Sequence, residues 1–274
     1  MKREILYLVI LVLFVGCTPS DKLTILHTND THSQVEPRSD DKGGYARRMG
    51  LIKQERRKDP NLLLLDAGDF SQGTPYFNFF HGRVEIDALN RMGYDAVCLG
   101  NHEFDNGLDT LAAVLKEARF PIVCANYDFS GTPLAEIVKP YVVLRKAGLK
   151  IGVFGLGCNP KGLITEKNFA PTRYFEPYPI AQVMANTLRE MGCDIVICLS
   201  HLGTYGWAPD DPCDAEMVKQ TRGIDIIIGG HTHQKYDNLR LPNIDGDSIP
   251  LCQMGSNGAY LGKIVLSLDS KIIK

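Results

Sequence analysis

The sequence predicts a single α/β domain. Three observations carry that reading: short apolar runs bounded by turn residues, helical periodicities between them, and histidines gathered where the runs end. The runs are Leu23–His27, Leu62–Asp66, Ala96–Leu99, Ile122–Ala125, Tyr141–Leu144, Lys150–Phe154, Ile195–Leu199 and Ile224–Ile228. Hydrophobicity that is continuous rather than alternating marks strands buried on both faces. Leu108, Leu111, Ala112 and Leu115 follow helical spacing, as do Ile180, Val183, Met184, Leu188 and Met191. Tyr45, Met49 and Ile52 outline a weaker helix whose basic face would carry Arg47, Arg48 and Lys53. Strand and helix in alternation give an α/β architecture. Leu251–Met254 and Lys263–Leu268 read as further strands with no helix between them.

Composition narrows the function classes. The 274 residues are 44% hydrophobic and 23% charged, which excludes a disordered tail or a disulfide mini-scaffold. The formal net charge is −2, so no basic surplus exists to neutralise a nucleic-acid backbone, and neither DNA nor RNA is an expected partner.

The first residues read as an address. A charged start, Met1 to Glu4, precedes the apolar run Ile5 to Val15, which is too short to span a bilayer but suits a secretory signal. The run ends in Phe14-Val15-Gly16-Cys17 and resembles a bacterial lipoprotein cleavage box, although Phe14 stands where leucine is usual. The resemblance implies a signal peptide over 1–16, a lipidated Cys17, and an exported protein held at the bacterial cell envelope by its lipid alone. With Cys17 so used, seven of the eight cysteines remain, an odd number. Cys98, Cys124 and Cys198 lie in apolar runs and read as buried thiols, whereas Cys158, Cys193, Cys213 and Cys252 are free to pair.

Five of the seven histidines sit just past an apolar run. Leu23–His27 leads to Asp30 and His32, Leu62–Leu65 to Asp69, and Ala96–Leu99 to Asn101 and His102. Ile195–Leu199 leads to His201, and Ile226–Ile228 to His231 and His233. Open α/β sheets keep their sites at the carboxyl ends of their strands. Imidazole mixed with carboxylate and amide oxygen suits divalent zinc, manganese or iron, and Gly68, Gly100, Gly229 and Gly230 would let the backbone turn close to such ions.

Asp30-x-His32, Gly68-Asp69, Gly100-Asn101-His102-Glu103, His201 and Gly230-His231-x-His233 together resemble the signature of the calcineurin-like metallophosphatases. The longer strings Ile25 to His32 and Asn101 to Gly107 resemble the N-terminal catalytic domain of the 5′-nucleotidase family. The likeness runs over residues 22–270. It implies a four-layer α-β-β-α sandwich with mixed sheets and a dimetal hydrolase of phosphate esters, most plainly a phosphomonoesterase acting on nucleotides. By the same resemblance, Asp30, His32, Asp69 and His233 would hold one metal, and Asp69, Asn101, His201 and His231 the other. Asp69 would be the bridge, beside a bridging hydroxide as nucleophile.

His102 should not share an ion with Asn101, because neighbours in an extended exit point oppositely. Its expected role is transition-state stabiliser or general acid, oriented by Asp105; Asp105 also reads as a helix N-cap before Gly107. Glu103 reads as a supporting or surface group, and His27 as a residue that packs or hydrogen-bonds within its strand. His81 follows Phe77, Phe79 and Phe80, an aromatic cluster read as core or domain contact before ligand surface. Trp207, in a loop after His201, would rim the site.

The resemblance to the 5′-nucleotidase family also implies a second, C-terminal domain in full-length members that would contact the nucleotide. The expectation is therefore that a separate chain supplies that half, or that this domain acts alone on small phosphate esters. Two alternatives stay open: an envelope-tethered catalytic subunit that needs a substrate-binding partner, and a hydrolase of cyclic nucleotides or phosphodiesters on the same metals.

Overall fold

A computed structural model describes residues 22–268. The leader 1–16, the lipidation site Cys17 and residues 269–270 of the expected domain lie outside them. In chain order the first half forms β1 (Lys22–Thr28), α1 (Tyr45–Lys58), β2 (Leu63–Asp66), α2 (Pro75–Phe80), α3 (Arg83–Met92), β3 (Ala96–Cys98), α4 (Gly107–Leu115), β4 (Ile122–Val123), β5 (Tyr127–Asp128) and β6 (Val138–Lys139). The second half adds β7 (Tyr141–Lys146), β8 (Leu149–Leu156), α5 (Glu166–Phe169), β9 (Arg173–Tyr174), α6 (Pro177–Glu190), β10 (Ile195–Ser200) and α7 (Asp214–Gln220). It closes with β11 (Ile226–Gly229), β12 (Lys235–Pro242), β13 (Ser248–Met254) and β14 (Gly262–Ser267).

Two mixed six-stranded sheets form the centre. The first runs β14-β1-β2-β3-β4-β6, parallel except where β14 pairs antiparallel with β1. The second runs β12-β13-β11-β10-β8-β7, with antiparallel pairs only at its two edges. Side chains alternate across each strand, and both sides are covered. Leu63 and Leu65 of β2 join Ile197 and Leu199 of β10 in the core between the sheets. Leu64 faces the other way, onto Ile52 of α1, Ile86 of α3 and Leu111 of α4. Val196 and Cys198 meet Ala181 and Leu188 of α6 and Met217 of α7. The result is a four-layer helix–sheet–sheet–helix sandwich, and double-sided burial is why its strands read as unbroken apolar runs.

Several elements were not read from the sequence: the helices α2, α3, α5 and α7, the edge strand β12, and the short strands β5, β6 and β9. Arg48 belongs to the inner side of α1 rather than to an exposed basic face; it is only 4% exposed, over the ring of Tyr45. The seven cysteines from Cys98 to Cys252 are all free and buried, so none of the pairings left open among Cys158, Cys193, Cys213 and Cys252 forms. Among the described residues, no helix is long and apolar enough to cross a membrane.

Candidate metal centre

Both sheets deliver the carboxyl ends of their parallel strands to one edge, and the exit loops knit together there. The amide of Asp30 donates to the Gly68 carbonyl at 2.9 Å, that of His32 to the Asp69 carbonyl at 3.0 Å, and that of Ser33 to the Phe70 carbonyl at 2.9 Å. The sequence-predicted ligands Asp30, His32, Asp69, His231 and His233 all have left-handed backbone, with φ between 45° and 72°. Such conformations cost about 1–3 kcal/mol each for residues with a side chain and persist where the surroundings enforce them, which is typical of functional sites. Gly68 has φ 94°, and a Cβ there would lie 2.9 Å from His201 Nδ1. A Cβ on Gly100 would stand 2.2 Å from Asp69 Oδ1. Only glycine leaves room for the two side chains to meet.

Two groups of donor atoms result, Asp30–His32–His233 and Asp69–His201–His231, each gathered within 4.8 Å. His201 links them: its Nε2 lies 3.0 Å from Asp69 Oδ2 and 3.8 Å from Asp30 Oδ1. Its Nδ1 donates to the Ala67 carbonyl at 2.7 Å, which orients the ring and leaves Nε2 facing the carboxylates. In the other group, His32 Nε2 faces His233 Nε2 at 2.9 Å, and His233 Nε2 is 3.5 Å from Asp30 Oδ1. Imidazole nitrogens and carboxylate oxygens converge here within reach of a single ion in each group, with only His233 largely exposed, and this donor set fits divalent metal ions. Asp69 is grouped with His201 and His231, and its charge also acts on His32 of the other group. Asn101 is buried beside the Asp69 group, its Oδ1 3.7 Å from Cys158 Sγ.

Electrostatics follow from the crowding. Burial disfavours charge on Asp69 and on His201, but their mutual attraction outweighs it; the carboxyl is held well below the usual range and the imidazole is raised to about 10. Burial, with His201 next to it, lowers His231 to about 4, and burial likewise lowers His32. Both are thereby kept neutral, the form in which imidazole binds a metal.

His102 Nδ1 bonds Asp105 Oδ2 at 2.9 Å, and that bond raises the imidazole above its ordinary value. Its ring centroid is 5.4 Å from that of His32, so it faces the same space. The exit is not extended as expected. Asn101 is in the right-handed helical region and His102 opens a 3-10 turn, His102–Phe104, which sends the two side chains apart by helical rotation. Asp105 is not the helix cap; the N-cap of α4 is Asn106, with no side-chain cap bond.

Glu103 is buried rather than superficial. Its Oε2 accepts the amides of Asp69 at 3.0 Å and Gly100 at 2.6 Å, and its Oε1 that of Ser71 at 3.0 Å. Burial and the nearby Asp69 charge raise its carboxyl to about 8. Gln253 is a comparable clamp on the other sheet, donating to the Gly230 carbonyl and accepting from the Gln234 amide, both at 2.6 Å. A lone glutamine in a late strand gave no signal in the sequence. Phe77 packs in the interior, but Phe79 and Phe80 are exposed and are not core. His27 is fully buried without a hydrogen-bond partner, so it packs. Trp207 does rim the site, its ring 6.4 Å from that of His231.

A two-sheet α/β sandwich with paired histidine–carboxylate groups at the joined strand ends is the architecture of a dinuclear phosphoesterase domain. The calcineurin-like phosphoesterase family profile matches residues 23–235, and the chain belongs to that family, whose members are dimetal phosphoric-ester hydrolases. It is 34% identical over 282 residues to a snake venom 5′-nucleotidase of Gloydius brevicauda, covering 92% of this chain and 46% of that protein. The crystal structure of a 5′-nucleotidase precursor from Thermus thermophilus superposes with a TM-score of 0.81 at 32% identity, over 92% of this chain and 52% of the other. A calcineurin-like phosphoesterase from Bacillus subtilis superposes with a TM-score of 0.71 at 29% identity, over 90% and 85% of the two chains. The chain spans about half the length of the curated relatives it matches.

Proposed function

We propose that the chain hydrolyses phosphomonoesters, with nucleoside 5′-monophosphates as leading substrates, on two divalent ions, one to be held by Asp30, His32, Asp69 and His233 and the other by Asp69, Asn101, His201 and His231, with Asp69 shared. The observation that carries this is the adjacency of the two donor groups, joined through His201 Nε2 at 3.8 Å from Asp30 Oδ1. When bound, the ions supply Lewis acidity toward phosphoryl oxygens and activate a water as nucleophile; the nitrogen and oxygen donors suit zinc, manganese or iron. The side chains do the rest. Asp30 and Asp69 bring negative charge that offsets cation repulsion. His102 gives its Nδ1 hydrogen to Asp105, which leaves Nε2 to carry the proton that the departing ester oxygen takes up. Glu103 holds the Asp69 and Gly100 amides, and with them the loops that carry the donors.

The catalytic unit in this reading is 22–270, exported behind a signal over 1–16 and tethered at the bacterial envelope by a lipid on Cys17. A second reading, in which a separate chain completes the substrate site, is favoured by Phe79 and Phe80, 77% and 50% exposed on the helix that follows the Asp69 loop. The test is phosphate release by the purified chain with Mn²⁺ or Zn²⁺ from a chromogenic phosphomonoester, a bis-ester and AMP. Turnover of the monoester that disappears in Asp69→Asn supports the proposal. Turnover that persists in that variant overturns it. Activity only after adding a partner chain favours the second reading, and preference for the bis-ester favours a phosphodiesterase.

A further inference from the structure

Next to the Asp69–His201–His231 group the loops after β8 and β10 enclose an open cavity of about 480 Å³. It is lined in part by Cys158, Lys161, Leu163, Leu202, Trp207 and His231. The lining touches the donor groups through His231 and again through Cys158, whose thiol meets Asn101 Oδ1 at 3.7 Å. Beside His231 stands Trp207, 71% exposed, its ring 6.4 Å from that of His231 and at 79° to it. An indole so open to water gains nothing for the fold, because apolar surface contributes only when it is removed from solvent. Lys161 at the same mouth has no carboxylate partner among the described residues. A cavity of this size with apolar walls and a few polar groups has the make-up of a small-molecule site. Both of its distinctive groups, a bare aromatic face and an unpaired donor, suit a flat heteroaromatic ring edged with acceptors.

We propose that this cavity is a base-binding subsite in which Trp207 stacks on the nucleobase of a substrate whose phosphate lies at the two donor groups. The chain itself then selects nucleoside phosphates over plain sugar phosphates. This rests on the phosphomonoesterase reading for its substrate class, but binding of the base does not require turnover.

Trp207 is the only tryptophan in the sequence, so its fluorescence reports the subsite directly. The metal-free full chain is titrated with adenosine, AMP and ribose 5-phosphate. The expected result is saturable quenching by adenosine and AMP and none by ribose 5-phosphate. By calorimetry, Trp207→Ala should bind AMP about tenfold more weakly, the loss expected for one base–aromatic stack, and Trp207→Phe should keep most of the affinity. Unchanged fluorescence with adenosine and AMP, or equal AMP affinity in Trp207→Ala and the parent chain, overturns the subsite. Phosphate release from ribose 5-phosphate by the metal-loaded chain separates the two claims. Release with flat fluorescence removes the subsite and leaves the hydrolase, whereas saturable quenching without release from any ester keeps the subsite and removes the hydrolase.

Discussion

His102 contributes to the site in two ways, and they separate cleanly. Its main-chain amide donates to Asp69 Oδ1 at 2.9 Å and helps to set that carboxylate, while its imidazole, oriented by Asp105, faces the cavity between the donor groups. A substitution at the side chain leaves the first contact in place. His102→Ala should therefore bind both metals with undiminished stoichiometry and slow phosphate release by about 10²–10⁴-fold, the usual worth of a positioned acid or base; element analysis beside steady-state rates checks this, and loss of both ions would contradict it. The separation of His102 from Asn101 was legible in the sequence, but for the wrong reason. The expectation rests on alternation along an extended strand, whereas a 3-10 turn does the work. Of the two readings of Glu103, the supporting one holds and the surface one does not. Nothing in a string of neighbours tells that a carboxylate will be folded beneath its own loop to receive three amides.

β1 shows how strand context sets protonation. His27 follows the alternation of Leu23 and Ile25 into the core between the sheets. Its register partner is Gly262 of β14, where a Cβ would come within 2.1 Å of His27 Nε2. The absence of that carbon is what admits an imidazole. Burial lowers the group to about 4, against an ordinary value of 6.5. The unfolded chain thus takes up a proton before the native one does. The stability this residue contributes is complete above pH ~6.5 and is lost as pH falls toward ~4, by about 3 kcal/mol. Denaturant titrations across that window should show a steeper acid-side fall for the parent chain than for His27→Val, and parallel profiles would contradict the assignment. The central strands were legible because both of their faces are covered. α3 carries a helical signal too, Ile86, Leu89 and Met92 at i, i+3 and i+6 with Arg83, Asp87 and Arg91 on the opposite face, and only the buried Glu85 departs from that pattern. β12 was missed because an edge strand with Asp237, Asn238 and a register shift between Tyr236 and Leu239 carries little hydrophobic signal.

The arrangement of the chain turns five distant loops into one pocket. Histidines at strand exits were readable because parallel strands share a carboxyl end, so residues more than 200 positions apart, such as His32 and His233, could be expected together. What no local pattern could give is the left-handed backbone at five of those residues, the approach of His201 to both Asp30 and Asp69, and the cavity that opens beside His231. The account stands on that juxtaposition being a place for two cations. Equilibrium dialysis of the purified chain against Mn²⁺, read by element analysis, tests it most directly. Two ions per chain are predicted, one for each donor group, with both sites impaired in an Asp30→Ala/Asp69→Ala double variant. Binding no greater than that of the double variant would contradict it.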